Sequence, residues 1–309
     1  MKPRVVKIAR LPAMLDEALH ATYEVVEASE DGTGIGAATA DIRAMVANGE
    51  STVTRALMAQ LPALEIIAVL GVGYDGVDVA AARERGIQVT HTPDVLTDDV
   101  ADFAMALLLG IARNTRVADQ FTRSGAWAKG AFPFSRKVSG ARLGIVGLGR
   151  IGKAIAHRAQ AFDMSIAYTG RHPQDVEHAY FASAVELAAA VDFLLVAVGG
   201  GAATQHLVDA QVLEALGPKG YLINVGRGSV VDEQALVQAL AEGRVAGAAL
   251  DVYENEPRPL EALFALDNVL LTPHMASATL DTRKAMSDLV MANLQAWREG
   301  AALPTAVPK

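Results

Sequence analysis

Three polar side chains in the second half of the sequence have the types that carbonyl reduction requires: Arg227, Glu256 and His274. An arginine can hold a carboxylate through two parallel hydrogen bonds and polarise the carbonyl beside it. A histidine can donate the proton that a new alkoxide needs, and a neighbouring carboxylate orients the imidazole and favours its charged form. The set therefore predicts the reduction of a carbonyl group that stands next to a carboxylate.

Each of these residues lies in a segment that follows a predicted strand. The segments are Asn224–Gly228, Asp251–Pro257 and Thr272–His274, and the predicted strands that they follow are Tyr221–Val225, Ala246–Leu250 and Val269–Leu271. In a doubly wound sheet the carboxyl ends of the strands line one crevice, so the three segments are expected to meet there. Taken singly, each residue also has a structural interpretation: a structural arginine, a surface charge before a proline, and a turn histidine.

The pattern G-x-G-x-x-G, which can bind a dinucleotide, occurs twice. Gly71–Gly76 follows the predicted strand Ile66–Leu70, and Gly147–Gly152 follows Leu143–Val146 and precedes a predicted helix over residues 153–161. A pyrophosphate needs backbone N–H groups at a helix N-terminus and no competing negative charge. The second copy contains Arg150, whereas the first contains Asp75, so the second is predicted to bind the cofactor.

The next predicted strand, Ser165–Thr169, ends at Gly170, Arg171 and His172. A carboxylate at this point would bind the 2′-hydroxyl of NAD, but none is present. Gly170 leaves room and the two following residues supply positive charge for a 2′-phosphate. We therefore predict a preference for NADP(H), with NAD(H) possible; the alternative is that Arg171 is a solvated surface residue.

Short apolar runs alternate with helical patterns along the chain, which predicts an α/β fold with parallel sheets. The length of 309 residues suggests two domains. A helix is predicted over residues 98–114 and a last one over residues 278–297. The looser segment 124–140, with Trp127 and Phe132, is interpreted either as a loop packed on its own domain or as a subunit contact.

Composition excludes several classes of protein. The absence of cysteine excludes disulfide scaffolds, thiol nucleophiles and thiolate metal sites, and no metal site is predicted. The net charge of −8 disfavours nucleic acid and anionic membranes as partners. Neither a targeting segment nor a membrane span is found in the sequence, so the expected location is the cytoplasm.

These motifs, in this order, resemble the D-2-hydroxyacid dehydrogenase family over essentially the whole chain. The resemblance implies a flavodoxin-like substrate domain from residues 1–96 and 277–309, a Rossmann-type cofactor domain from residues 97–276, an active site in the cleft between them, and a homodimer through the cofactor domains. It further implies that Arg227 binds a 2-oxo acid, that His274 is the acid/base and that Glu256 is its partner. The Gly71-Val72-Gly73 turn would cradle the substrate carboxylate. The implied cofactor contacts are Gly147, Leu148, Gly149, Arg150, Ile151, Gly152, Gly170, Arg171, His172, Val198, Thr204, Val225 and Asp251, the last on the nicotinamide carboxamide.

Within the family, the runs Val95–Asp102, Leu216–Gly220 and Gly170–Pro173 look most like hydroxypyruvate, glyoxylate and hydroxyphenylpyruvate reductases. Glu50 stands where phosphoglycerate dehydrogenases hold a phosphate, and with the chain ending at Lys309 no regulatory domain is expected. We therefore predict NADPH-dependent reduction of a small 2-oxo acid to the D-2-hydroxy acid. The alternatives are a 2-ketogluconate reductase and a non-catalytic, nicotinamide-sensing protein like the corepressors of this fold.

Overall fold

A computed structural model describes residues 2–308 of the chain, the side chains of residues 37–39 excepted. The chain divides into two compact units. One unit comprises Met1–Leu96 and Ala278–Lys309, and the other comprises Thr97–Ser277. Among the described residues, no helix is both long and apolar enough to cross a membrane.

The first unit is built on a five-stranded, fully parallel sheet in the order β2-β1-β3-β4-β5. Its strand Ile66–Leu70 is apolar and buried along its whole length, as expected when helices cover both faces of a parallel sheet. The strands are β1 (Arg4–Lys7), β2 (Glu24–Glu27), β3 (Ile42–Asn48), β4 (Ile66–Leu70) and β5 (Gln88–Thr90). The helices are α1 (Ala13–Thr22), α2 (Arg55–Ala59), α3 (Val79–Glu84) and, from the C-terminal part, α10 (Leu280–Glu299).

Helix α10 has clear signals at both ends. The hydroxyl of Thr279 accepts the N–H of Thr282 at 3.2 Å at its beginning. At its end Gly300 adopts a left-handed conformation (φ 66°), the usual way for a helix to stop. The helix therefore ends at Glu299, two residues beyond the predicted end at residue 297.

The second unit is built on a seven-stranded, fully parallel sheet in the order β12-β11-β10-β9-β6-β7-β8. The order reverses between β6 and β9, which makes the carboxyl ends of these two strands the expected ligand edge of a doubly wound sheet. The strands are β6 (Arg142–Val146), β7 (Ser165–Thr169), β8 (Ala179–Phe181), β9 (Phe193–Val196), β10 (Tyr221–Asn224), β11 (Gly247–Leu250) and β12 (Val269–Leu271). The helices are α4 (Thr97–Ala112), α5 (Thr115–Arg123), α6 (Arg150–Gln160), α7 (Ala184–Ala190), α8 (Ala210–Leu216) and α9 (Glu233–Ala241).

Helices α7, α8 and α9 form the main core of the second unit with the sheet, through buried residues such as Leu187, Leu213 and Leu236. Helix α4 packs against α6, where Arg158 forms ion pairs with Asp98 and Asp102. The sheet is therefore covered on its two faces, so the polar strand ends are the places left for ligands.

The predicted α/β class with two doubly wound sheets is confirmed, and the differences lie at element ends. Helix α6 begins at Arg150 rather than at residue 153, because Gly149 is its N-cap. The long helix α4 stops at Ala112 because Asn114 is left-handed (φ 54°). Strand β8 was not predicted. The segment 124–140 contains only a short 3₁₀ helix, Ala126–Lys129.

Candidate active site

His274 and Glu256 form a close pair in the second unit. The Nδ1 atom of His274 lies 2.7 Å from Oε2 of Glu256, and the two side chains are 29% and 17% exposed. A ring nitrogen that faces a carboxylate carries its proton towards that carboxylate, so Nδ1 is committed to Glu256. The other ring nitrogen, Nε2, is the atom through which this histidine can exchange a proton with a ligand.

Both members of the pair are held by the backbone. The N–H of Tyr253 donates to Oε1 of Glu256 at 2.9 Å, and the N–H of His274 donates to the carbonyl of Asp251 at 2.9 Å. His274 has a left-handed backbone (φ 49°), which is uncommon for a residue with a side chain. Such a conformation persists only where the surroundings enforce it, and here it fixes the direction of the imidazole.

Tyr253 ties the segment before Glu256 to the neighbouring strands. Its hydroxyl donates to the carbonyl of Thr272 at 2.8 Å and lies 3.1 Å from that of Leu250. Burial, together with the nearby carboxylates of Asp251 and Glu256, raises the pKa of Tyr253 well above its usual value. The phenol therefore stays neutral and acts as a hydrogen-bond donor.

Arg227 lies in a turn that is closed by a buried side chain. The amide of Asn224 donates from Nδ2 to the carbonyl of Arg227 and accepts from the N–H of Gly226, both at 3.0 Å. The next residue, Gly228, presses against the Tyr253 segment, where a Cβ would stand 1.8 Å from the carbonyl carbon of Tyr253. This contact, which requires glycine, places the Arg227 turn beside the segment that carries Glu256.

Asp251 is 1% exposed and accepts three hydrogen bonds. Its oxygens receive the hydroxyl of Thr272 at 2.6 Å and the N–H groups of Met275 and Ala276, each at 2.9 Å. Asp251 therefore clamps the residues on both sides of His274 to the end of β11. A carboxylate can accept about four hydrogen bonds, so Asp251 can accept one more without losing these three. The predicted hydrogen bond from the nicotinamide carboxamide to Asp251 stays a prediction.

The glycines of Gly147–Gly152 have three different surroundings. Gly147 is left-handed (φ 96°), and a Cβ there would lie 2.9 Å from that of Val198. A Cβ on Gly152 would lie 2.2 Å from the carbonyl oxygen of Gly147, whereas one on Gly149 would meet nothing within 4 Å. These are the tight turn, the close strand–helix approach and the open position that a dinucleotide fingerprint needs, so the segment fits a bound pyrophosphate at the start of α6.

Gln174 braces this turn and was missed from the sequence. Its Nε2 donates to the carbonyl of Leu148 at 2.9 Å, and its own N–H donates to the hydroxyl of Tyr168 at 2.6 Å. Among the predicted cofactor contacts of the turn, Leu148 is buried, Arg150 is exposed and Ile151 is half-buried. An isolated glutamine in a polar loop gives no sequence signal for such a role.

Gly170, Arg171 and His172 follow β7 and are all exposed. A Cβ on Gly170 would meet nothing within 4 Å, and the hydroxyl of Tyr180 on β8 donates to its carbonyl at 3.3 Å. Open space and two basic side chains at this strand end fit the 2′-phosphate of NADP. The unpredicted strand β8 thus supports the predicted ribose end of the site.

The remaining predicted cofactor contacts lie at the ends of β9 and β10. A Cβ on Gly147 would lie 2.9 Å from the Cβ of Val198, and one on Gly226 would lie 2.5 Å from its carbonyl oxygen. The N–H of Val225 donates to the carbonyl of Val196 at 3.1 Å. The hydroxyl of Thr204 donates to the carbonyl of Gly199 at 2.8 Å and closes the glycine-rich loop between them. These residues therefore belong to the same edge of the sheet as the fingerprint.

The turn Gly71-Val72-Gly73 belongs to the first unit and follows β4. The N–H of Gly71 donates to the hydroxyl of Thr92 at 3.0 Å, and the carbonyl of Val72 lies 2.9 Å from Nδ1 of His91. Among residues 2–308, no acceptor is found for the N–H groups of Val72 and Gly73. The predicted role of this turn as a cradle for a carboxylate stays a prediction.

A dinucleotide fingerprint and a paired histidine at strand ends of one sheet define an NAD(P)-dependent dehydrogenase. Residues 105–276 match the family described as D-isomer specific 2-hydroxyacid dehydrogenase, NAD binding domain. The chain belongs to this family, which confirms the resemblance and makes the protein an NAD(P)-dependent 2-hydroxyacid dehydrogenase or reductase.

Among its relatives, a glyoxylate/hydroxypyruvate reductase A from Arabidopsis thaliana is 50% identical over 267 residues, covering 86% of this chain and 85% of the relative. A hydroxyphenylpyruvate reductase from Plectranthus scutellarioides is 49% identical with the same coverage. The chain is also similar to the crystal structure of an NADPH-dependent glyoxylate/hydroxypyruvate reductase from Sinorhizobium meliloti in complex with NADP and malonate, with a TM-score of 0.95, 48% identity, and coverage of 99% of this chain and 97% of the other.

Proposed function

We propose that this protein reduces a small 2-oxo acid to the D-2-hydroxy acid with NADPH, the substrate being hydroxypyruvate, glyoxylate or hydroxyphenylpyruvate. The observation that carries the proposal is the 2.7 Å contact between Nδ1 of His274 and Oε2 of Glu256. It orients the imidazole for proton transfer and supplies a negative charge that stabilises the imidazolium. The activities named for the three relatives are all reductions of 2-oxo acids.

The residues of this chain divide the reaction between binding and proton transfer. Bound NADPH supplies a hydride for the carbonyl carbon. Protonated His274 donates from Nε2 to the carbonyl oxygen, which becomes the hydroxyl, while Glu256 balances the charge of the ring. Arg227 holds the substrate carboxylate and polarises the neighbouring carbonyl, so the substrate is aligned before the proton moves. In the first unit, we assign the binding of a carboxylate to the N–H groups of Val72 and Gly73.

The preference for NADP(H) rests on the end of β7. Gly170, Arg171 and His172 offer space and positive charge and no carboxylate for a ribose hydroxyl. The relative from Sinorhizobium meliloti, which is described as NADPH-dependent, was crystallised with NADP. NAD(H) remains a usable second cofactor, because the fingerprint Gly147–Gly152 binds the part that both dinucleotides share.

Initial rates of cofactor oxidation test the proposal directly. Hydroxypyruvate, glyoxylate, hydroxyphenylpyruvate and 2-ketogluconate are offered in turn with NADPH and with NADH. We expect the highest kcat/KM with NADPH and one of the first three acids. The sugar acid is the alternative substrate. Binding of NADPH without turnover of any 2-oxo acid would contradict the proposal and favour a nicotinamide-sensing protein.

The role of Arg171 has its own test. In Arg171→Ala a charge-assisted contact to the 2′-phosphate is lost, so KM for NADPH should rise roughly 10- to 100-fold, as expected for about 1.5–3 kcal/mol. KM for NADH should change little, because that cofactor has no 2′-phosphate. Lys153→Ala, which removes another exposed cation of the same unit, is the control. Equal effects on both cofactors would contradict the assignment.

We further propose that the two units act as the substrate and cofactor domains, that the protein is a homodimer through the second unit and that it works in the cytoplasm.

The proposed dimer is supported by exposed residues of the second unit. None of the residues of α5 is buried. In the segment after it, Trp127 is 69% exposed and Phe134 is fully exposed. Apolar surface of this kind is typical of a protein interface. Light scattering on the purified protein measures the mass of the assembly.

A further inference from the structure

Glu233 is a buried carboxyl group that the proposed mechanism does not use. It is the first residue of α9 and only 2% exposed. The N-cap of this helix is Asp232, whose Oδ1 accepts the N–H of Ala235 at 2.9 Å. Capping is therefore already provided by the preceding residue, and the carboxyl group of Glu233 makes its contact outside the helix.

That contact is with the segment that carries Glu256. The N–H of Glu254 donates to Oε1 of Glu233 at 2.8 Å. One residue earlier, the N–H of Tyr253 donates to Oε1 of Glu256 at 2.9 Å, and Oε2 of Glu256 lies 2.7 Å from His274. Three successive contacts thus lead from the start of α9 to the imidazole.

We propose that Glu233 is a positioning residue: it holds the N–H of Glu254 and so fixes the segment 253–256 in the conformation that aims the Glu256 carboxylate at His274. The inference rests on the proposed function, since it gives Glu233 a part in the proton transfer assigned to His274. Positioning requires that the side chain reach Glu254, whereas its negative charge is not required.

The surroundings of Glu233 support this assignment. Burial, reinforced by the charges of Glu254 and Glu256, raises the pKa of Glu233, and the N–H of Glu254 opposes that rise. Burying a carboxyl group costs free energy unless the group is hydrogen-bonded. For stability alone an apolar side chain would serve better at this buried position. The charged groups beside these residues include Glu254, which also contacts Nε2 of His206, and Asp251, which accepts the N–H of Met275 next to His274. The segment is therefore held at Glu254 from two sides.

Two conservative variants distinguish the length of the Glu233 side chain from its negative charge. Glu233→Gln keeps a carbonyl oxygen at the same distance and removes the charge. Glu233→Asp keeps the charge and withdraws it by one methylene group from Glu254. We expect Glu233→Gln to retain wild-type kcat within about twofold and Glu233→Asp to lose about 10- to 100-fold, the loss that a displacement of about 1 Å in a reacting group can cause.

The pH profile gives a readout that a merely structural role would not move. Reduction needs His274 protonated, and a misaligned Glu256 stabilises the imidazolium less. The alkaline limb of kcat should therefore move to lower pH in Glu233→Asp and stay in place in Glu233→Gln. The control is Asp232→Ala, which weakens the same helix at its cap but leaves the contact with Glu254.

The outcomes are distinct. Wild-type kcat and pH profile in Glu233→Asp would overturn the inference, as would equal losses in Glu233→Gln and Glu233→Asp. Equal losses in Glu233→Asp and Asp232→Ala without movement of the limb would also overturn it, in favour of a structural role. If the wild-type protein reduces no 2-oxo acid, the proposed function fails, but the inference is still tested by an NMR titration of the His274 ring, assigned by its loss in His274→Ala. If Glu233→Asp does not fold, the ring titration of His274 is compared between Glu233→Gln and the wild type. A changed titration in Glu233→Gln overturns the inference, and an unchanged one supports it.

Discussion

The imidazole of His274 is the single group whose removal should slow the reaction most while leaving binding intact. In His274→Ala we expect kcat for reduction of the preferred 2-oxo acid to fall about 10²- to 10⁴-fold, the usual contribution of general acid catalysis. KM for NADPH should stay near its wild-type value, because the fingerprint lies on other strands. Steady-state rates measure both constants.

The matched control for this prediction is His157→Ala, which removes an exposed histidine of α6 in the same unit. It should leave kcat unchanged. Glu256→Gln should lower kcat and move the alkaline limb of its pH profile to lower pH, because the imidazolium loses its paired charge. An unaltered kcat in His274→Ala would remove this residue from the mechanism.

At the scale of the structural element, the fingerprint glycines should respond differently to the same methyl group. Gly149→Ala has open space and a compatible backbone (φ −80°), so the protein should keep its stability but bind NADPH at least about tenfold more weakly, because the Cβ occupies the approach to the pyrophosphate. Gly152→Ala would press on the Gly147 carbonyl 2.2 Å away and should unfold more easily. Thermal unfolding and cofactor titration distinguish them; equal loss of stability in both variants would contradict the assignment.

The start of the central strands contains an ion pair that makes stability depend on pH. Asp192 precedes β9 and accepts from the guanidinium and the N–H of Arg142, the first residue of β6, at 2.9–3.1 Å. The Arg142 hydrogen bond, opposed by burial, holds the pKa of Asp192 below its usual value of 3.8. The folded protein thus binds fewer protons at this group, so the stabilisation is present above that value and is lost as pH falls through the folded pKa.

Asp192→Asn should therefore lower the free energy of unfolding by roughly 1 kcal/mol at about pH 7, a modest amount because much of Arg142 lies in screening solvent. The difference from the wild type should be smaller at about pH 3, because the stabilisation is lost as pH falls through the folded pKa. Urea unfolding at the two pH values measures it, with Asp209→Asn, at the cap of α8, as a control that involves no arginine partner. A difference independent of pH would show that the charge of Asp192 contributes nothing.

The sequence predicts those elements best whose apolar residues are consecutive. Ile66–Leu70 was predicted at its observed bounds, because a fully buried parallel strand is apolar on both faces. The three-residue strand β8 was missed, since Ala-Tyr-Phe is too short to show a period. The close contact of His274 with Glu256 was predictable from residue types at strand ends. The contact of Glu233 with Glu254 was not, because an acidic residue in the first turn of a helix is ordinarily solvated.

At the scale of the whole molecule, the exposed aromatic side chains of residues 124–140 predict how the protein assembles. Replacing Trp127 and Phe134 together by serine should convert the proposed dimer to monomers, since each large side chain contributes roughly 1.5–3 kcal/mol when buried. Light scattering across a concentration series measures the mass. Phe264→Ser, at another exposed aromatic residue of the same unit, should leave the mass unchanged. A wild-type mass that is already monomeric would contradict the proposal.

The backbone contact of Gly228 with Tyr253 has a consequence for recombination between relatives. The loops that carry Gly228 and Tyr253 are more than twenty residues apart in the sequence, and their backbones are in direct contact with no side chain between them. A small change in either backbone therefore requires a corresponding change in the other. A chimaera with a crossover between them combines loops of different parents and displaces the arginine and the histidine pair relative to each other. Crossovers before Asn224 or after His274 keep parental loops together, so productive chimaeras of this enzyme should be found with breakpoints outside that interval.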